Sequence, residues 1–187
     1  MNEARGLRAD AQRNYEQLLA VARVVIEEQG TQASLRDIAR RAGVGLGTLY
    51  RHFPTRDALL EALLRQGFDR LAASAESLLA SAAPKAALLA WVDELSRGTT
   101  VYHGLPASLL ATLHDEASPL HLSCTAMRAA GERLLRRAQD AGDVRPDLDG
   151  VDLFELVAAV GWAAEQSPRS AERRERLLAL ITDGLAS

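Results

Sequence analysis

One stretch, residues 34–60, constrains the fold more than any other part of the chain. It reads SLRDIARRAGVGLGTLYRHFPTRDALL. Ser34 is followed three residues later by Asp37, a pattern typical of a helix start, in which the serine hydroxyl accepts a first-turn backbone N–H. Apolar residues then recur from Leu35 at the i, i+3, i+4, i+7 spacing of one helix face. Gly43 can adopt the positive φ that ends a helix, so the stretch predicts a short helix that stops at a glycine turn.

A second short helix is predicted after this turn, over residues 45–53. Leu49 and Phe53 are four residues apart, so they share one face and are expected to pack on the preceding helix. Pro54 ends the pattern, and Thr55 can cap a third, longer helix. Two short helices joined by a tight turn form a helix-turn-helix, which places its second helix in the major groove of DNA.

Positive charge is concentrated in the same stretch. From Ser34 to Arg56 the chain has five arginines and one acidic residue, a net charge of +4, although the whole chain of 187 residues has a net charge of −3. Up to Gln66 there are 10 basic and 8 acidic residues, whereas the remainder has 12 and 17. This asymmetry favours a DNA-binding head on an acidic body that DNA would repel.

The run GVGLGTLYRHFPTRDALL resembles the DNA-binding signature of TetR-type (TetR/AcrR) transcriptional regulators. That signature often reads roughly G-V-x-x-G-x-L-Y-x-H-F-x-x-K-x-x-L, and here Arg56 stands at the lysine position and keeps its charge. The resemblance covers about the first third of the chain. It implies a homodimeric repressor that binds an inverted-repeat operator in double-stranded DNA and is released by a small-molecule inducer. The alternative is a DNA-binding regulator without a small-molecule ligand, acting constitutively or through a protein partner.

The resemblance also implies roles for residues within the motif. Base edges would be contacted by Arg36, Gly45, Leu46 and Thr48. Phosphates would be held by Ser34, Tyr50, His52 and Arg56. Gly47 has no side chain, which would let the backbone approach a phosphate closely. Leu46 is apolar where many relatives have a polar residue, so the base that it meets is left open.

The remainder of the chain is also helical in pattern. A first helix is expected from about Ala9 to Gln29, and residues 1–9 would form a frayed terminus or an arm in the minor groove. Further helices are predicted over residues 55–81, 84–98, 106–115, 119–141, 149–166 and 170–185. The predicted fold is all-α, with an N-terminal three-helix DNA-binding domain in residues 1–54 and a C-terminal helical domain for ligand binding and dimerisation in residues 55–187.

The last two helices are the predicted dimer interface. Residues 156–164, LVAAVGWAA, are apolar nearly all round, as expected where helices pack closely; the alternative is the core of a monomer. By the same resemblance, the helical domain would hold a pocket for a small-molecule effector. Its candidate lining residues, for each of which an ordinary core or surface role is the alternative, are Trp91, Tyr102, Leu109, Leu113, His114, Cys124, Met127, Arg128 and Trp162.

Other classes of function find little support in the sequence. His103, His114 and His121 do not have a recognised metal-ligand spacing, so no metal and no cofactor are expected. Cys124 and His121 could form a thiolate–imidazole pair, but no third catalytic group stands at a readable spacing, so no enzyme activity is expected. No apolar run approaches the ~20 residues that cross a bilayer. We therefore expect a cytoplasmic protein with no membrane partner.

Overall fold

The computed structural model describes residues 2–98, 105–167 and 169–184, with the backbone alone for residues 2–9 and 165. Within these ranges the chain is all-α, as predicted. The described helices, in chain order, are α1 (Asn2–Gln29), α2 (Leu35–Arg41), α3 (Leu46–His52), α4 (Arg56–Leu78), α5 (Pro84–Gly98), α6 (Ala107–His114), α7 (Pro119–Asp140), α8 (Gly150–Glu165) and α9 (Ser170–Gly184). None of these helices combines the length and the apolar character needed to cross a membrane.

Local capping sets several of the helix starts. The side chains of Ser34, Thr55 and Asp149 accept hydrogen bonds from backbone N–H groups two or three residues later, at 3.4, 3.0 and 2.8 Å. Those at Ser34 and Thr55 are the caps that the sequence predicts for α2 and α4, and Asp149 caps α8 at the start of the helix predicted over residues 149–166. α1 differs from the prediction, since it begins at Asn2 rather than near Ala9. No proline interrupts the residues before Ala9, so helix propensity extends α1 towards the N-terminus.

The chain forms two compact units that divide within α4, after Leu64. The first unit holds the chain up to that residue together with the start of α6, as far as Ala111; the second holds the remainder. The domain boundary expected between residues 54 and 55 lies before this division. The first turns of α4 belong with α1–α3, and their side chains Leu59 and Leu60 are buried.

The core of the second unit is built around an indole ring. In this unit α5 packs against α7 and α8, and α8 packs against α9. Trp91 on α5 is 2% exposed, and its Nε1–H donates a hydrogen bond of 2.9 Å to the carbonyl oxygen of Leu71 on α4. The ring lies so close to Gly131 on α7 that a Cβ atom there would overlap it. One side chain thus joins three helices.

We therefore predict opposite effects for two glycine-to-alanine substitutions. Gly131→Ala should lower the free energy of unfolding by about 1–3 kcal/mol, because the rigid indole ring must move and its hydrogen bond to Leu71 is strained. Gly67→Ala, in open space inside α4, should raise it by roughly 0.5–1 kcal/mol through helix propensity. Urea unfolding followed by circular dichroism measures both. A Gly131→Ala variant as stable as the wild type would contradict the packing of Trp91 on α7.

Candidate DNA-binding interface

The turn between α2 and α3 is a Schellman motif, which ends a helix with a residue in the left-handed conformation. Gly43 has φ of +67°, and its N–H donates to the carbonyl oxygen of Arg40 at 3.1 Å. The N–H of Val44 donates to the carbonyl oxygen of Ala39 at 3.0 Å. This pair of bonds satisfies carbonyl groups at the end of α2 and fixes the direction in which the chain enters α3. The predicted helix-ending role of Gly43 is confirmed.

One face of α3 is buried in the first unit. Leu49 is fully buried and Phe53 is 2% exposed, and Ile38 on the neighbouring α2 is fully buried. The ring of Phe53 lies 5.2 Å from the ring of Tyr15 on α1, measured between centroids. α2 packs against both α1 and α3. The position of this seven-residue helix is therefore fixed by its apolar side.

The opposite face of α3 is open. Gly47 and Arg51 lie about half a turn from Leu49 on a helix that advances 100° per residue. Both are exposed, and so is Tyr50 beside them. Gly47 leaves bare backbone at the centre of this face, which is the geometry needed for a close approach to another molecule.

The predicted DNA contacts all lie in the first unit, but they differ in exposure. The exposed ones are Ser34, Arg36, Gly45, Gly47 and Tyr50. The half-buried ones are Leu46, Thr48, His52 and Arg56. The ring of His52 stands edge-on to Tyr15 with 6.0 Å between centroids, so α1 holds it in place.

Two of the five arginines within residues 34–56 bind acidic residues. The carboxylate of Asp37 accepts hydrogen bonds from Arg40 at 2.5 Å and from Arg41 at 2.9 Å, and Arg41 also binds Glu28 at 2.8 Å. The hydrogen bond from Arg40 is the main cause that holds the pKa of Asp37 below its ordinary value. The hydrogen bond to Glu28 is the main cause that raises the pKa of Arg41. Much of the charge on these two arginines is thus compensated within the protein.

Arg36 and Arg51 carry the exposed, uncompensated charge. Neither side chain forms an ion pair or hydrogen bond with any residue that the structure describes. Arg51 was not among the predicted contacts. Its position opposite the predicted buried residue Leu49 is a signal in the sequence that would have identified it.

The first turn of α4 is tied to two other segments of the first unit. Nη1 of Arg56 donates to the carbonyl oxygens of Thr31 and Ala33, at 3.0 and 2.5 Å. Asp57 accepts a hydrogen bond of 2.5 Å from Oγ of Ser108 on α6. Arg56 therefore makes contacts within the protein, and its contact with phosphate stays a prediction.

The candidate effector residues are not brought together as one set. Tyr102 lies outside the described residues. Buried are Trp91, Leu109, Cys124 and Met127. Leu113 is half-buried, whereas His114, Arg128 and Trp162 are exposed. Leu109 belongs to the first unit and the other described candidates belong to the second.

Three side chains on α7 have other partners or environments. The guanidinium of Arg128 lies 4.3 Å from the ring centroid of Phe154 on α8, a cation–π contact. Burial raises the pKa of the Cys124 thiol, which disfavours a thiolate. Nδ1 of His121 donates to the carbonyl oxygen of Leu113 at 2.9 Å. In the part of the chain that is described, no three His, Cys, Asp or Glu side chains are grouped so that they could hold a metal ion.

Comparison with known proteins assigns both parts of the chain. Residues 18–63 match the family described as bacterial regulatory proteins, tetR family, and residues 83–187 match the SbtR-like transcriptional regulator C-terminal domain. The second match spans more than half of the chain. The chain belongs to the TetR family of transcriptional regulators. The resemblance seen in the helix-turn-helix motif is thereby confirmed.

Individual relatives match this TetR-family chain over nearly its whole length. It is 28% identical to the HTH-type transcriptional repressor KstR2 of Rhodococcus jostii (strain RHA1), over 91% of this chain and 90% of that protein. The crystal structure of the TetR transcriptional regulator SCO0520 from Streptomyces coelicolor gives a TM-score of 0.74 at 38% identity, covering 92% of this chain and 98% of that one. The TetR transcription regulatory protein from Mycobacterium vanbaalenii gives 0.68 at 34% identity, covering 97% and 99%.

The TetR assignment also settles the broad class of function. The chain is a DNA-binding transcriptional regulator and not an enzyme, as the sequence predicts. Regulators of this family bind DNA and dimerise, so the helix-turn-helix of the first unit is the DNA-binding element.

Proposed function

We propose that this regulator is a homodimeric repressor that binds a palindromic operator and leaves it when a small molecule binds. The observation that carries the proposal is the exposed face of α3, which presents bare backbone at Gly47 beside the uncompensated charge of Arg51. A helix that is buried on one side and basic on the other suits the major groove. The similarity to KstR2, which is named a repressor, supports the direction of regulation.

We assign recognition of the DNA base sequence to the start of α2 and to α3. Arg36 is exposed and unpaired among the described residues, so its guanidinium is available to bind a guanine with two hydrogen bonds. Gly45, Leu46 and Thr48 would face neighbouring base edges. The side chains proposed to hold phosphates are Ser34, Tyr50, His52 and, in place of the predicted Arg56, the exposed Arg51. These phosphate contacts set the register of α3 and carry the salt dependence of binding.

We further propose that the dimer forms through α8 and α9. Among the residues that the structure describes, eight large apolar side chains are exposed, and four of them lie on these two helices: Val151, Leu156, Trp162 and Leu180. Leu156 and Leu180 also line a groove of about 360 Å³. Pairing about a two-fold axis would cover these side chains, because each partner presents the same surface. A pair of α3 helices could then read two half-sites roughly 34 Å apart.

A matched pair of substitutions tests this interface. Leu180→Glu on α9 (62% exposed) should convert the dimer to a monomer, because a carboxylate would be buried between the partners. Leu122→Glu on α7 (59% exposed) is the control and should leave the dimer intact. Sedimentation equilibrium measures the mass of each variant. A monomeric wild type, or a dimer that tolerates Leu180→Glu and is lost with Leu122→Glu, would contradict the proposed interface.

The effector is proposed to bind in the second unit, where Trp91, Cys124 and Met127 offer buried apolar surface. A molecule that binds one conformation of the dimer more tightly than the other shifts the equilibrium towards it. Repression ends if the favoured conformation moves the two α3 helices away from the spacing of one DNA turn.

A thermal-unfolding screen tests the effector proposal. A compound from a broad set of small molecules is expected to raise the Tm of the free protein and to weaken its binding to DNA, since both effects follow from preference for one conformation. If compounds that raise the Tm leave DNA binding unchanged, or if none raises it, the proposal of ligand release is wrong. The protein would then be a DNA-binding regulator that acts constitutively or through a protein partner.

A further inference from the structure

The guanidinium of Arg56 supplies hydrogen bonds to a buried piece of backbone. Its acceptors are the carbonyl oxygens of Thr31 and Ala33, residues that are 7% and 4% exposed. Backbone carbonyls that are removed from water need a donor, and an arginine on α4 provides it from a position 23 to 25 residues later in the chain. The contact therefore joins the start of α4 to the loop between α1 and α2.

This loop, residues 30–34, determines where α2 begins. Gly30 ends α1 with φ of +79°, and the N–H of Ala33 donates to the carbonyl oxygen of Gly30 at 3.1 Å. The next residue, Ser34, is the N-cap of α2, and its carbonyl oxygen accepts the N–H of Ile38 at 3.0 Å. A shift of the loop would move the start of α2, which carries Arg36.

The geometry commits one end of the Arg56 guanidinium to the protein. Nη1 carries two hydrogens, and two carbonyl oxygens lie within hydrogen-bond distance of it. The side chain is half-buried, whereas Arg51 on α3 is exposed and has no ion pair or hydrogen bond with the residues that the structure describes. Two arginines of one basic stretch thus have different environments.

We infer that Arg56 is a positioning residue, which holds the α1–α2 loop and with it the start of α2, and that it does not itself bind a DNA phosphate. This inference rests on the DNA-binding role of the helix-turn-helix. It also gives a reason for arginine at the lysine position of the family signature. The planar guanidinium directs its N–H groups at fixed angles, which suits two neighbouring carbonyls.

The first arm of the test uses the free protein. In Arg56→Ala and Arg56→Gln, hydrogen exchange at the amides of Ala33 and Ile38 should become about tenfold faster, because the loop loses its anchor. The amide of Leu153 is the internal reference, since it donates to the N-cap carbonyl of α8 in the second unit just as Ile38 does in α2. Its exchange should not change. The glutamine variant keeps the test decisive if the alanine variant does not fold.

The second arm measures binding to a DNA duplex recovered by selection with the wild-type protein. Between 50 and 200 mM salt, and at a temperature where circular dichroism shows each variant folded, the Kd of both Arg56 variants should rise about tenfold. The slope of log K against log salt should equal that of the wild type, because no phosphate contact is lost. A residue that only supports overall stability would leave the Kd of the folded protein unchanged.

Arg51→Ala is the matched control, since it removes the same charge from an exposed site. It should leave exchange at Ala33 and Ile38 as in the wild type. The positioning role is overturned if the slope in the Arg56 variants becomes shallower by about 0.9, as expected for one lost phosphate contact. It is also overturned if loop exchange does not change, or if Arg51→Ala accelerates it equally. If no duplex is recovered, the operator proposal fails, and the exchange arm still decides the role of Arg56.

Discussion

A helix of seven residues is not stable alone in water, and α3 is of that length. Its conformation depends on what it packs against, namely the burial of Leu49 and Phe53. The same burial decides which face of α3 is left for DNA. The Schellman turn at Gly43 adds direction, because it fixes the angle at which the chain leaves α2. The proposed recognition of DNA by α3 therefore depends on packing within a small three-helix core.

The first turn of α4 extends this dependence beyond the core. Arg56 bonds the α1–α2 loop, and the next residue, Asp57, bonds Ser108 on α6. Adjacent residues thus connect the start of α2 with a segment that lies some fifty residues further along the chain. Hydrogen bonds at Asp57 and Arg56 thus connect α6 to the loop that precedes α2, the helix that carries Arg36.

Local features of the fold were predictable from the sequence because short-range chemistry determines them. The caps at Ser34, Thr55 and Asp149 and the glycine turn at Gly43 each depend on neighbouring residues, and all four are present. Side-chain partners at long range were not predictable. The acceptors of Arg56 depend on how α4 returns to the loop before α2, which residue spacing does not encode.

The spacing of apolar residues in the sequence also did not determine which side of α8 faces the core of its own subunit. Trp162 lies in a segment that is apolar nearly all round, so no pattern distinguishes the side that faces its own core from the side that faces a partner. The structure places it 58% exposed, on the same helix as the exposed Leu156. That position fits the dimer surface better than the effector pocket. The charge pattern, in contrast, was informative, but it did not show that Arg40 and Arg41 bind acidic residues within the protein.

The central claim is that two copies of this chain read a symmetric DNA sequence. Selection of genomic fragments by the purified protein at about 150 mM salt, near physiological ionic strength, tests it most directly. Enrichment of an inverted repeat whose half-sites lie about one helical turn apart, 10 to 10.5 base pairs between centres or a multiple of this, is the predicted result. Recovery of fragments without a shared sequence, bound only through their charge, would contradict it.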